Sequence, residues 1–308
     1  MLLDREAIDP DLIARLSEAE RTGLELVARA HAHGEQLGLK RSTSYRHLLD
    51  QGTDSTLTVV VAAPPNRLEP LTWWFPIVGR VSYRGYFDAT RAEAFAASLR
   101  AQGYETDLRP ALLYSTLGWF DDPMPRRLLA MQPYDLVDTV LHEQVHETIY
   151  VPDDAEYNES LATFVAQHAT LDFFAHAADT RARAARSFAD QRRFAELLAE
   201  LSLDLEHLYA TEGEVRDLAT KRARLLAEYQ KQRYPALDWQ TDRYSGFPDT
   251  RVNNAWLVAR RTYLGRRPCF ERELGQFGND LRAFIARERE GQSPCQEREE
   301  AGVAAGAR

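Results

Sequence analysis

Two apolar helical stripes separated by a short break, with a pair of histidines one turn apart on the first, constrain this chain more than any other feature. Val137, Leu141 and Val145 recur at i, i+4 spacing and predict a helix running from Tyr134. Pro152-Asp153-Asp154 ends it, and Leu161, Phe164, Val165 and Phe173 predict a second helix from near Tyr157. A break that short folds the second helix back against the first, so residues of the two helices can face one another.

The first stripe carries Leu141-His142-Glu143-Gln144-Val145-His146, an HExxH pattern. On a helix His142 and His146 project from one face, and both imidazoles reach one metal ion. Glu143 follows the first ligand and is placed to take a proton from a water acidified by that metal. A catalytic zinc takes three protein ligands and keeps one position open. The third is expected to be Glu159, in the first turn of the next helix, with Glu156 the competing carboxylate on the loop side. Asn158 and Thr163 are candidates for supporting the ligands; the Thr163 hydroxyl lies one turn beyond Glu159 and is able to accept a ring N–H. Thr163 also reads simply as a half-buried helix threonine, and Glu159 as a carboxylate favoured by a helix N-terminus. His168 and His176 fit no ligand spacing and are expected at the surface. Asn158-Glu159-Ser160 matches a glycosylation acceptor but starts a helix beside the site. A hydroxyl for the developing oxyanion would come from elsewhere, with Tyr83, Tyr86, Tyr114 and Tyr263 as candidates among 13 tyrosines.

Around this pair the chain reads as α+β. A helix is expected over 10–36, stopped near Gly34. A strand follows over 56–61, then a strand, a break at Pro76 to Gly79 and another strand over 72–87. A helix is expected over 90–102 and a strand over 104–117. Residues 179–232 predict a long helical hairpin turning near Gly213, and 252–287 one or two helices. The expected architecture is a small twisted sheet from 56–117 packed on the zinc-binding helix pair, with a mostly helical C-terminal half. The expected division is 1–175 for the α+β region with the zinc motif, 176–287 for a helical region covering the site, and 288–308 for a disordered tail.

Composition narrows the partners. The net charge of −9 argues against nucleic acid, and Arg126-Arg127 and Arg266-Arg267 are short, scattered basic clusters. No stretch approaches the roughly 20 apolar residues of a membrane span. Two cysteines, Cys269 and Cys295, can build neither a disulfide framework nor a Cys-rich zinc site; one bridge between them is possible but has no support in the sequence. The N-terminus, MLLDREAIDP, has no signal pattern. Read literally this predicts a cytoplasmic product; a signal removed beforehand would place it in the cell envelope.

Several segments in order resemble one family: VVAAP (60–64), WWFPIVGRVSYRGYF (73–87), YSTLGWFDDP (114–123), HEQVHE (142–147), YNESLATFV (157–165) and NNAWL (253–257). Together they resemble the bacterial zinc aminopeptidases of the HExxH-plus-Glu, or gluzincin, kind, over most of 40–175 and a short C-terminal patch. The resemblance implies His142, His146 and Glu159 as ligands of one zinc ion per chain, Glu143 as acid/base, and a peptide substrate. Relatives often carry cysteines at the positions of Trp74 and Arg80, and often begin with a lipoprotein signal; this sequence has neither.

The expected function is therefore metal-assisted peptide hydrolysis, with an aminopeptidase favoured. The alternatives are an endopeptidase, a cell-wall peptide amidase, or a non-catalytic zinc-containing binding protein. An aminopeptidase also needs an acceptor for the substrate's α-ammonium, for which Glu147, Asp121 and Asp122 are candidates. The hairpin and the helix bearing Asn253 and Asn254 are expected to close one end of the groove. Residues 82–87 or 112–117 are expected to offer an edge strand to the substrate. Oligomeric state is not encoded in any feature identified.

Overall fold

A computed structural model describes residues 5–49, 57–75, 79–110, 122–211, 215–261, 266–291 and 293–296. It is α+β, with small sheets of two or three strands set among longer helices. The expected helix over 10–36 is two helices, α1 (Pro10–Arg15) and α2 (Glu18–Gln36). Ser17 separates them by a capping box. Its hydroxyl accepts from Glu20 N, and the Glu20 carboxylate accepts from Ser17 N. Gly34 is no stop but part of α2, which ends ahead of Gly38 (φ 98°).

One three-stranded sheet has the order β1 (Arg5–Ala7), β2 (His47–Leu49), β8 (Met124–Pro125). The second has the order β6 (Arg84–Tyr86), β3 (Thr58–Ala63), β7 (Glu105–Pro110), all antiparallel. β4 (Trp73–Phe75) and β5 (Gly79–Val81) form a separate hairpin. Residues 73–86 thus hold three short strands where two were expected. Trp74 and Arg80, the positions of the relatives' cysteines, are direct cross-strand partners.

The sheet of β3, β6 and β7 does not lie on the histidine-bearing helix. Its Val60 and Ala62 face α3 (Ala89–Ala101), and Val59, Val61 and Ala63 face α6 (Ala178–Thr211) and α8 (Asn254–Arg261). Alternation along β3 makes both faces apolar, so two helical layers cover it. The sheet that does pack on that helix is the other one. Leu48 and Met124 share a core with Leu136, Val137, Val140 and Leu141 of α4 (Pro133–Thr148). Its strands are only two or three residues long and pair across 40 to 76 positions, too short and too scattered to show in the sequence.

The expected stripe of Val137, Leu141 and Val145 is fully buried. α5 (Ala155–Phe173) is buried along most of its length, as a helix must be when neighbours surround it. α6 and α7 (Val215–Glu228) supply the arms of the expected hairpin; its turn at 212–214 lies outside the described residues. α6 is not a free projection, since Phe194, Leu197, Leu198, Leu201 and Leu205 are core residues. Arg222 of α7 makes two parallel 2.8 Å bonds to Glu105 of β7. Asn253 and Asn254 also serve the sheet, donating to Thr106 O, Pro64 O and Arg67 O.

Three segments of helix, α8, α9 (Arg267–Gln276) and α10 (Leu281–Arg289), replace the one or two expected. Cys269 and Cys295 are joined by a disulfide. The beginning of the expected tail is built into the body: Glu288 is buried and accepts from the Tyr157 hydroxyl of α5. Residues 297–308 lie outside the described residues. No described helix is long and apolar enough to cross a membrane.

Candidate metal centre

The turn between α4 and α5 decides whether a carboxylate on one helix meets histidines on the other. Asp154 caps α5 by accepting from Tyr157 N, and Arg266 holds that carboxylate at 3.0 Å. Asn158 spans the turn: its Oδ1 accepts from Val151 N at 2.8 Å, and its Nδ2 donates to Val151 O at 2.7 Å. Asp153 takes a left-handed conformation (φ 64°) and accepts from Arg80 N of the β4–β5 hairpin. Asn158 therefore acts on the turn, not on a histidine ring. Buried, with both amide groups engaged, it has no place for a glycan.

On the other side of α4, Gln144 fixes the helix against α2. Its amide is fully buried and donates to Lys40 O at 2.9 Å and His31 O at 3.3 Å. Gly34 makes this possible, because a Cβ there would lie 2.2 Å from Gln144 Oε1.

With the helices so held, His142, His146 and Glu159 converge and form the group able to hold a metal ion among the described residues. The two Nε2 atoms are 3.1 Å apart, and they lie 3.5 and 3.6 Å from the Glu159 oxygens. Ligands about 2.0–2.1 Å from a tetrahedral zinc are separated by roughly 3.3 Å, so these edges suit that ion. Two imidazoles and one carboxylate are also its ordinary donor set. Glu156, the competing carboxylate, is exposed and outside the group.

The electrostatics of the triad follow from burial and charge. Burial opposes a charged His142, but the Glu159 carboxylate, with Glu143 and Asp138 behind it, outweighs this and raises His142 to about 9. Burial dominates at His146, lowering it to about 4. Burial would raise Glu159, yet the histidines and the Arg109 guanidinium hold it down at about 2. Asp138, one turn before His142 on α4, is pushed up to about 7 by burial, and its Oδ1 has no partner among the described residues.

The remaining candidates separate. Thr163 is half-buried on α5 and makes no hydrogen bond to either histidine among the described residues. Tyr83 is 46% exposed, and Tyr86 packs its ring on Phe95 of α3. Tyr114, Tyr263 and Asp121 lie outside the described residues. His176 is exposed, whereas His168 is half-buried against Phe164 and lowered to about 4 by burial.

Three further groups near the centre had no signal in the sequence analysis. Tyr150, just past α4, is raised by burial and by the charges of Asp153 and Glu159. Arg109 closes β7, bonds Ala259 O, and turns its charge on Glu159. Tyr45 is buried beside Glu143 and Glu147. Position relative to the motif would have marked Tyr150 alone; the others arrive through tertiary structure.

No curated protein and no solved structure matches this chain. The family described as "Putative aminopeptidase" matches residues 1–301, and the chain belongs to that family.

Proposed function

We propose that the chain is a zinc-dependent aminopeptidase of the gluzincin kind. The family supports peptide hydrolysis in general. The finer reading rests on one observation: His142, His146 and Glu159 meet with edges of 3.1, 3.5 and 3.6 Å immediately beside Glu143. When bound there, zinc would polarise the scissile carbonyl and make the attacking water acidic near neutral pH.

The chain's own residues do the rest. Glu143 accepts a proton from the water and passes it to the departing amine, so the base is regenerated each turnover. Asp138 lies one turn before His142 on α4, and its carboxylate acts electrostatically on that ring. Arg109 and Tyr150 both act on the charge of Glu159, and they are the cation and the hydroxyl we assign to the negative charge that would develop in the reaction.

The test is metal content and activity measured on the same preparations. One zinc per chain is expected. Glu143→Gln should retain it while kcat falls by about 10²–10⁴-fold, because an amide cannot take the proton. His146→Ala should lose the metal. Full activity in zinc-loaded Glu143→Gln would refute the general base, and an absence of zinc binding by the native protein would refute the centre.

A further inference from the structure

Glu147 lies one turn beyond Glu143 on α4 and directly follows His146, so its carboxylate projects beside the metal centre. The segment joining α2 to β2 wraps around it. Ser42 Oγ and Ser44 Oγ both donate to Glu147 Oε1, at 3.0 and 2.7 Å. Tyr45 N donates to Asp122 O at 2.8 Å, bringing a second, buried acidic residue to the same place. Both serine hydroxyls use one oxygen, and no described residue hydrogen-bonds Glu147 Oε2.

The independent observation is Tyr45. Its side chain is only 7% exposed and rests on the His31 ring at 5.7 Å. Its backbone is held at φ 67°, a conformation that bulky residues rarely adopt. Its hydroxyl feels the charges of Glu143, Glu147 and Asp122 together, and no described residue hydrogen-bonds it. Burial among these carboxylates holds the phenol well above its ordinary value, so it stays neutral and presents lone pairs. A hydroxyl set among carboxylates, with no hydrogen-bond partner among the described residues, is placed to accept from a donor brought by a ligand.

We propose that Glu147, Asp122 and the Tyr45 hydroxyl form the pocket that receives the α-ammonium group of a peptide with a free N-terminus. The ammonium has three N–H donors, and the pocket offers three kinds of acceptor: Glu147 Oε2, the Asp122 carboxylate and Tyr45 Oη. Held there, the first peptide bond falls toward the metal centre, which limits cleavage to the terminal residue. The inference rests on the aminopeptidase reading and assigns its specificity to these residues.

Calorimetry on zinc-loaded protein tests it, using leucine hydroxamate and N-acetyl-leucine hydroxamate. The hydroxamate addresses the metal, and only the first compound carries an ammonium. The native protein should bind the free amine at least about tenfold more tightly, the worth of a charge-assisted hydrogen bond. Glu147→Gln keeps an acceptor for both serines, so it should fold and keep its zinc. Its preference should fall to about threefold or less, with the affinity for the acetylated compound unchanged. Tyr45→Phe should lose part of the preference; if that strained position does not tolerate it, Glu147→Gln decides alone. Equal affinity of the native protein for both hydroxamates, or an undiminished preference in Glu147→Gln, overturns the pocket and leaves the metal centre standing. Failure to bind either compound sinks the zinc reading, and the pocket with it.

Discussion

Without metal, the charge of Glu159 holds a proton on His142 that a bound zinc would have to displace. His142 at about 9 and Glu159 at about 2 form an ion pair at 3.5 Å, while His146, at about 4, is already neutral at pH 7. Both imidazoles must be neutral to bind metal. At pH 7 His142 is then mostly protonated, which should lower the apparent zinc affinity on the order of 100-fold. The sign follows: affinity should rise about tenfold per pH unit from pH 5 to pH 9 and then level off. Below about pH 4, where His146 also takes up a proton, the dependence should steepen. Titration calorimetry in buffers of different ionisation enthalpy counts the protons directly, and about one per zinc is expected at pH 7. Glu159→Gln removes the counter-charge and should bring the count well below one. A native protein that binds zinc at pH 7 without releasing a proton would show that the ion pair does not hold His142 charged.

Other substitutions probe the supports of the centre. Asn158→Ala removes both bonds across the α4–α5 turn and should cost about 2 kcal/mol in denaturant unfolding, with a drop of about tenfold or more in zinc affinity by chelator competition. Gly34→Ala drives a methyl group into Gln144; loss of that buried amide's bonds, less about 1 kcal/mol of helix propensity, leaves a net loss of about 2 kcal/mol. An unchanged or higher Tm would refute the clash. Cys295→Ser opens a loop spanning a 26-residue separation and should destabilise by about 3.5 kcal/mol on the chain-entropy account. Matching Tm values for oxidised and reduced native protein would argue against that contribution.

What could be read from the sequence was local. The stripe on α4, the break at Pro152 to Asp154 and the return of α5 follow from periodicity and turn chemistry within 40 residues, so the convergence of His142, His146 and Glu159 was within reach. The division of α1 from α2 was also written locally, in Ser17 and Glu20, but the apolar pattern running through Leu16 obscured it. The sheet on α4 was hidden because its strands are too short to show alternation. Tyr45 and Arg109 carry no local mark. Each reaches the centre by packing of elements distant in sequence, and a tyrosine at positive φ resembles any other tyrosine in the string.

The bonds that hold the centre in place reach far along the chain: Gln144 to Lys40 spans 104 residues, Ser42 to Glu147 spans 105, Arg266 to Asp154 spans 112, and Tyr157 to Glu288 spans 131. The two ligand-bearing helices can form early from local contacts, but closing such long loops is slow. During synthesis the chain emerges from its N-terminus, so Arg266 and Glu288 arrive after both helices are already outside the ribosome. The histidines and Glu159 would then be present for some seconds before the clamp that aligns them exists. Completion of the centre is thereby tied to completion of the chain, and a nascent or C-terminally shortened protein would carry the metal-binding motif without the geometry to use it.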